Sequence, residues 1–354
     1  MKIPFFKQEI SNDMKEAAME SLQNENFVMG ESVNKFEEEF ASFIGTRFAV
    51  STSSGTNALF LSLLSLDIKK GDNVVTSTNS FVASANSIKM ANANPILADI
   101  NEDGNINVEK IDKKIQAILP VHIYGNPCDF DSIFKLSEEQ KIPIIEDACQ
   151  AHGAEFKNKK AGNLGTIGCF SFYPTKNMTV GGDGGMITTN DEEIADIIRS
   201  LRDNGRNLQK REVHDKLGYT MRLNSISAAI GRVQLKKLNK FNDRRRKIMN
   251  LYQRNLEEDI LLKENKFGKS VFHQIVIKHK NRDIIRKKLG DEQIGTAIHY
   301  TIPIHKQPIY QNGKSLPNSE EFCKIVLSLP SYPSLADDEI KTIAEKINSI
   351  INEK

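Results

Sequence analysis

The stretch SFYPTKNMTVGGDGG, Ser171–Gly185, begins as a short apolar strand, turns at Pro174, carries a single lysine at Lys176 and runs into a loop made mostly of glycine. Apolar runs at 168–172 and 185–189 flank it, so the lysine falls on the connection between two strands. Further runs lie upstream at Phe48–Ser51, Asn73–Ser77, Pro95–Ala98, Ile118–His122 and Pro143–Asp147. Helical patterns at 55–66, 82–91, 107–116 and 129–140 separate them. Strands alternating with helices predict a mostly parallel sheet covered on both faces. With the two flanking runs, the sheet has seven strands and is doubly wound.

Outside that sheet the periodicity changes. From Glu31 to Ile44, Val33, Phe36, Phe40, Phe43 and Ile44 recur at helical steps. A long helix starts near Ser225, with Ile226, Ala229, Ile230, Val233, Leu238 and Phe241 on one stripe. Beyond it come strand-like Phe272–Ile277, helix-like 281–289, strand-like Thr296–Tyr300 and a final helix at 337–352. The organisation expected is α/β, with a large sheet domain over 1–240 and a smaller α+β domain over 241–354. The basic cluster Arg244–Lys247 reads as a solvated helix end, the alternative being a patch that attracts an anionic substrate.

Composition narrows the partners. The 354 residues carry a formal net charge of +2 with 27% charged residues, so no strong field argues for nucleic acid or an anionic membrane. The four cysteines show no paired spacing that would suggest zinc or a disulfide framework, and no metal site is expected. The start MKIPFFKQEI lacks the apolar core of a secretion signal, and no apolar run reaches a membrane-spanning length. The expectation is a soluble, cytoplasmic protein acting on a small molecule.

In an open parallel sheet, ligands collect at the carboxyl ends of the strands. Ser54-Gly55-Thr56 follows the first strand and opens an apolar helix, which makes either an anion site of free N–H groups or an ordinary N-cap. In PIIEDACQAHGA a buried strand ends at Glu146-Asp147, with Gln150 within reach. A carboxylate there can hold a proton on a ring nitrogen and an amide can bond a ring oxygen, or the acid can simply cap a turn. Phe81 offers a flat face for stacking or for core packing. Lys176 becomes a nucleophile only where a desolvated or electropositive pocket keeps its amine neutral. An anion site, a stacking ring, a carboxylate with an amide and a lysine match the phosphate, ring, pyridine nitrogen, phenolic oxygen and aldehyde of pyridoxal phosphate.

These residues resemble the DegT-type nucleotide-sugar aminotransferases, a branch of the fold-type I pyridoxal phosphate enzymes. The resemblance covers nearly the whole chain, through VMGESVNKFEEEFASFIG, SSGTNAL, GDNVVTSTNSFVASANSI, PVHIYGNPCD, IEDACQAHGA, SFYPTKN, GGDGGMITTN, MRLNSISAAIGRVQL, HYTIPIH and LSLPSYPSL in family order. It implies that Lys176 forms an imine with the cofactor aldehyde and that Asp147 faces the pyridine nitrogen. It further implies that Gln150 bonds the phenolic oxygen, that Phe81 stacks on the ring, and that Gly55, Thr56 and Ser171 hold the phosphate. His299, Tyr300 and His305 resemble the family's substrate-facing residues. The family builds homodimers with shared active sites, which would bring Gly218–Arg222, including Thr220, to the neighbouring subunit's phosphate.

The chain departs from the family pattern at Thr220, where the family usually has Asn, at Tyr173, where it often has His, and at Thr301, where it often has Pro. The branch that removes oxygen from sugars replaces the imine lysine by His, whereas this chain keeps Lys176. The resemblance therefore implies amino transfer, from glutamate to a nucleoside-diphosphate-linked keto sugar, for amino-sugar and surface-glycan biosynthesis. The alternatives are a keto-cyclitol acceptor or a non-catalytic regulatory homologue that binds pyridoxal phosphate.

Overall fold

A computed structural model describes residues 2–109, 111, 113–257, 259–311 and 313–353. Strands β1 (Phe48–Thr52), β2 (Asn73–Ser77), β3 (Asn94–Ala98), β4 (Ala117–Leu119) and β5 (Ile145–Asp147) come first. Two two-residue strands, β6 (Glu155–Phe156) and β7 (Lys159–Lys160), precede β8 (Ile167–Ser171) and β9 (Gly185–Thr189). Hydrogen bonding gives the orders β3-β2-β4 and β5-β8-β9-β1. Parallel bridges Ile118↔Ile144 and Val121↔Asp147 join them into one sheet of seven strands. Every register is parallel except at β9, which is antiparallel to both β1 and β8.

That single reversal positions the opening stretch. Because β9 runs back along β8, the connection 172–184 stays at the carboxyl edge instead of crossing the sheet. Lys176 is thereby kept at the edge where the other strands deliver their loops.

Helices α1 (Asn12–Asn24), α2 (Glu31–Ile44), α3 (Gly55–Ser65), α4 (Ala83–Met90), α5 (Phe130–Gln140), α6 (Glu192–Leu201) and α7 (Ser225–Asn255) cover the sheet and leave it. β8 and β9 are buried at every position, as a strand covered on both faces must be. On one face Phe36 and Phe40 of α2 pack against Phe170 of β8 and Phe172 just past it, with ring centroids 5.0–5.5 Å apart. Edge-to-face aromatic pairs of this kind contribute about 0.5–1.5 kcal/mol each beyond area burial. They hold β8 firmly just before it releases Lys176.

The remaining elements are β10 (Gly268–Lys269), β11 (Ile275–Lys278), α8 (Arg282–Asp291), α9 (Pro317–Ile325), β12 (Val326–Leu329) and α10 (Asp337–Asn352). β11 and β12 pair antiparallel, and a separate core gathers Tyr252, Ile277, Ile285, Leu329, Ile340 and Ile343. Ile3 belongs to this core and bridges Ile294, so the first residues pack with the C-terminal unit. Among the described residues no helix is long and apolar enough to cross a membrane.

Three expectations change. The stretch 107–116 is not helical in its described residues, although Val108, Ile111 and Ile115 keep a helical spacing. Its backbone is engaged elsewhere: Asn107 Oδ1 accepts from Glu109 N–H and Gln140 Oε1 accepts from Ile115 N–H. Residues 110 and 112 lie outside the described set. Thr296–Tyr300 is no strand either, since only Ala297 bridges Ser328 before the chain turns at His299. Finally, Arg244–Arg246 is not a solvated helix end. Arg244 pairs with Asp337 at 2.6 Å, the buried Arg245 donates to Ser331 C=O at 2.6 Å and Arg246 donates to Ser270 C=O at 3.1 Å, so the cluster pins α7 to the C-terminal unit.

Candidate active site

A cavity of about 490 Å³ opens at the carboxyl edge of the sheet. The carboxyl ends of β1, β2, β5 and β8 supply most of its lining. After β1, Ser54 caps α3, its hydroxyl accepting from Asn57 N–H at 3.1 Å. Among the described residues no acceptor meets the N–H groups of Gly55 or Thr56, which leaves two donors at a helix N-terminus on the cavity wall. A Cβ on Gly55 would stand 2.6 Å from Ser171 Cβ and 2.9 Å from Cys149 Sγ, so only glycine lets this turn approach β8. Gly55→Ala should therefore weaken pyridoxal phosphate binding about tenfold or more as the turn is pushed off β8. A titration of the apoprotein with cofactor that returned the wild-type affinity would contradict this.

After β2 come Phe81, with a 58% exposed ring beside the cavity, and α4, whose first turn carries Ser84. β5 ends at Asp147, only 5% exposed. Ser84 Oγ donates to its Oδ2 at 2.7 Å and Cys149 N–H to its Oδ1 at 3.2 Å. Those two bonds fix the plane of the carboxylate and leave acceptor capacity for a further donor in the cavity. Gln150 is oriented just as strictly. Its Oε1 accepts from Tyr124 N–H at 2.7 Å, so its Nε2 turns toward the cavity, where it lies 3.4 Å from Tyr300 Oη.

β8 ends at Ser171, whose hydroxyl accepts from Tyr173 N–H at 3.3 Å, and Lys176 follows in the connection. Burial pushes the Lys176 amine below its ordinary value, partly opposed by the nearby Cys149 and Asp147. A lowered pKa leaves the amine neutral over a wider pH range, which is what attack on an aldehyde requires. The rate at which apoprotein turns yellow with pyridoxal phosphate should therefore rise with pH through a midpoint below the ordinary lysine value of 10.5. A midpoint at or above that value would contradict the burial argument.

The C-terminal unit closes the cavity with His273, Gln274, His299 and Tyr300. Burial, with Lys176 close by, pushes His299 down to about 4, so its ring is neutral near pH 7. The His299 ring shares a hydrogen bond with Ser328 Oγ at 2.9 Å. Burial pushes the Tyr300 phenol up, keeping it protonated.

The structure thus gathers Gly55, Thr56, Phe81, Asp147, Gln150, Ser171, Lys176, His299 and Tyr300 around one cavity. It does not bring in His305. That ring is 1% exposed and its two nitrogens meet Thr78 Oγ1 at 2.7 Å and Glu320 Oε1 at 3.1 Å, which ties the segment after Pro303 to the end of β2. Thr220 is likewise outside, on an exposed loop where its hydroxyl donates to Asn204 at 3.0 Å. Sequence reasoning missed Ser84, His273 and Gln274. The strand-end rule that found Phe81 reaches Ser84 one turn later, whereas His273 and Gln274 precede a strand of the other unit and carry no such signal.

The donor set fits pyridoxal phosphate group by group: free N–H groups for the phosphate, a ring face, a carboxylate for the pyridine nitrogen, an amide donor for the phenolic oxygen and an amine of lowered pKa for the aldehyde. Comparison with known proteins agrees. A family model described as the DegT/DnrJ/EryC1/StrS aminotransferase family matches residues 8–348. The GDP-perosamine synthase of Escherichia coli O157:H7 is 34% identical, the alignment covering 99% of each chain. The UDP-N-acetyl-3-dehydro-alpha-D-glucosamine 3-aminotransferase of Acidithiobacillus ferrooxidans is 36% identical over 94% of this chain and 92% of its own. The crystal structure of S. venezuelae DesV in complex with ketimine intermediate superposes with a TM-score of 0.92 at 32% identity, covering 97% of this chain and 95% of that one.

Proposed function

Because the chain belongs to the DegT/DnrJ/EryC1/StrS aminotransferase family, a family of pyridoxal phosphate enzymes, we propose that it transfers an amino group from glutamate to a keto sugar carried on a nucleoside diphosphate. One observation carries the reading: a single cavity unites the buried amine of Lys176 with Asp147, Gln150 and the free N–H groups of the Gly55–Thr56 turn. A protein that only bound the cofactor for regulation would have no chemical need of all four.

Bound pyridoxal phosphate supplies an aldehyde that captures amines and a ring that accepts an electron pair from the carbon next to the captured nitrogen. The chain's residues do the rest. Lys176 would hold the cofactor aldehyde, and its Nζ would be the base that takes the proton from the donor's α-carbon. Asp147 would keep a proton on the pyridine nitrogen, which makes the ring an electron acceptor. Gln150 Nε2 would donate to the phenolic oxygen, Phe81 would cover one ring face, and Gly55, Thr56 and Ser171 would hold the phosphate. His299 and Tyr300 present a neutral imidazole and a phenol to the acceptor.

We place the boundary between the two units near residue 240, within α7. The site is shared in a homodimer. The charge inventory supports this: among the described residues lining the cavity, Lys176 is the only lysine or arginine, beside Asp147 and Asp183. A phosphate and a nucleoside diphosphate need more donors than one chain's cavity offers, and the 218–222 loop, with the Thr220 hydroxyl and with Arg222 paired to Asp203 at 2.7 Å, is the segment we place against the neighbour's phosphate. The cytoplasm, where nucleotide sugars and glutamate are at hand, is the compartment this reading implies. A panel of nucleoside-diphosphate keto sugars, added to the amino-loaded enzyme, tests the acceptor class. Return of the yellow colour with one of them is expected, and return only with a free keto-cyclitol would overturn it.

A further inference from the structure

Tyr124 does not line the cavity, yet it bonds three of the segments that do. It sits in a one-turn 3-10 helix, Ile123–Gly125, just beyond β4 at the carboxyl edge, and is 2% exposed. Its backbone is left-handed, φ 61°, a conformation that a bulky side chain rarely adopts without a compensating set of contacts. Those contacts are on view. Its N–H donates to Gln150 Oε1 at 2.7 Å, its C=O accepts from Gln274 N–H at 3.2 Å, and its hydroxyl donates to the His299 C=O. Asparagine or glycine would suit the turn better on conformational grounds alone, but neither could reach the His299 carbonyl. Buried and neutral, since burial pushes its phenol well up, Tyr124 is a fixed hydrogen-bond donor.

From this geometry we infer that Tyr124 is a positioning residue, a latch that holds the His299–Tyr300 turn of the C-terminal unit against the sheet edge while its N–H sets Gln150 as a donor toward the cofactor. The two jobs use different atoms. The N–H fixes Gln150 from within the large sheet, whereas the hydroxyl alone spans to the turn that carries Tyr300. Removing the hydroxyl should therefore release the turn and leave the cofactor environment unchanged. Its consequence for catalysis rests on the aminotransferase reading above, while its consequence for the turn does not.

Tyr124→Phe keeps the ring and the N–H bond and deletes the hydroxyl. Two measurements on the holoenzyme decide the matter. In hydrogen exchange, amides of 299–302 should exchange about fivefold faster, the scale set by one lost hydrogen bond, with 145–151 unchanged. In steady-state kinetics the KM for the sugar acceptor should rise about fivefold, with kcat, the KM for glutamate and the cofactor's visible spectrum within twofold of wild type. In a Tyr300→Phe background the second substitution should add little, because both act on one turn. Unchanged exchange at 299–302 would overturn the latch whether or not the enzyme turns over. Faster exchange with an unaltered acceptor KM, or full additivity with Tyr300→Phe, would overturn its role in positioning Tyr300. A wild type with no activity toward any nucleoside-diphosphate keto sugar would count against the aminotransferase reading alone, and the exchange result would still stand.

Discussion

Replacing Lys176 by alanine should lower amino transfer by about a thousandfold or more, the upper part of the range for a positioned acid–base group. Such a loss corresponds to roughly 4 kcal/mol of barrier. The variant should still bind pyridoxal phosphate, because the Gly55–Thr56 turn, Ser171, Asp147 and Gln150 are untouched and the side chain removed lies in the cavity wall rather than in a packed core. Its visible spectrum should be that of free aldehyde in a protein pocket, and glutamate should convert it only slowly. A small exogenous amine should restore part of the rate, since it can occupy the vacated space and carry the proton. Two results would sink the assignment: identical spectra for variant and wild type, or comparable rates of single-turnover conversion by glutamate.

Asp147→Asn should cost roughly a hundredfold to a thousandfold in the same half-reaction, through loss of the charge that keeps the pyridine nitrogen protonated. The substitution also disturbs the surroundings. Ser84 Oγ and Cys149 N–H both donate to the carboxylate, and an amide presents a donor to one of them. That mismatch costs about 1–3 kcal/mol in stability. Reconstitution separates the two effects. Pyridoxal phosphate methylated on the ring nitrogen carries a fixed positive charge, so it should recover much of the lost rate in Asp147→Asn and little of the stability. If it recovered none of the rate, Asp147 would act on something other than the ring nitrogen.

The sheet was legible because its strands are buried on both faces, which turns them into unbroken apolar or hydroxyl-bearing runs such as IGCFS at β8. The lining of the cavity was legible for the same reason, since Gly55, Phe81, Asp147, Gln150, Ser171 and Lys176 all end such runs or follow them closely. Where local pattern and tertiary context compete, the sequence misleads. The apolar spacing of Val108, Ile111 and Ile115 is helical, yet side-chain acceptors on Asn107 and Gln140 take the backbone donors. Thr296–Tyr300 has strand-like residues but leaves the sheet to deliver His299 to the cavity. His305 shares a motif with His299 and Tyr300, yet faces Thr78 and Glu320. The Tyr124 bonds join positions up to 175 residues apart, which no local pattern encodes.

If one cavity carries an amino group on its cofactor from donor to acceptor, the visible spectrum of the purified holoenzyme must report both halves of the transfer. Glutamate alone should bleach the yellow band, and a nucleoside-diphosphate keto sugar added to the bleached enzyme, freed of excess glutamate, should bring it back with formation of one amino sugar per site. A yellow band that glutamate leaves unchanged, in an enzyme that nonetheless aminates the sugar, would contradict it.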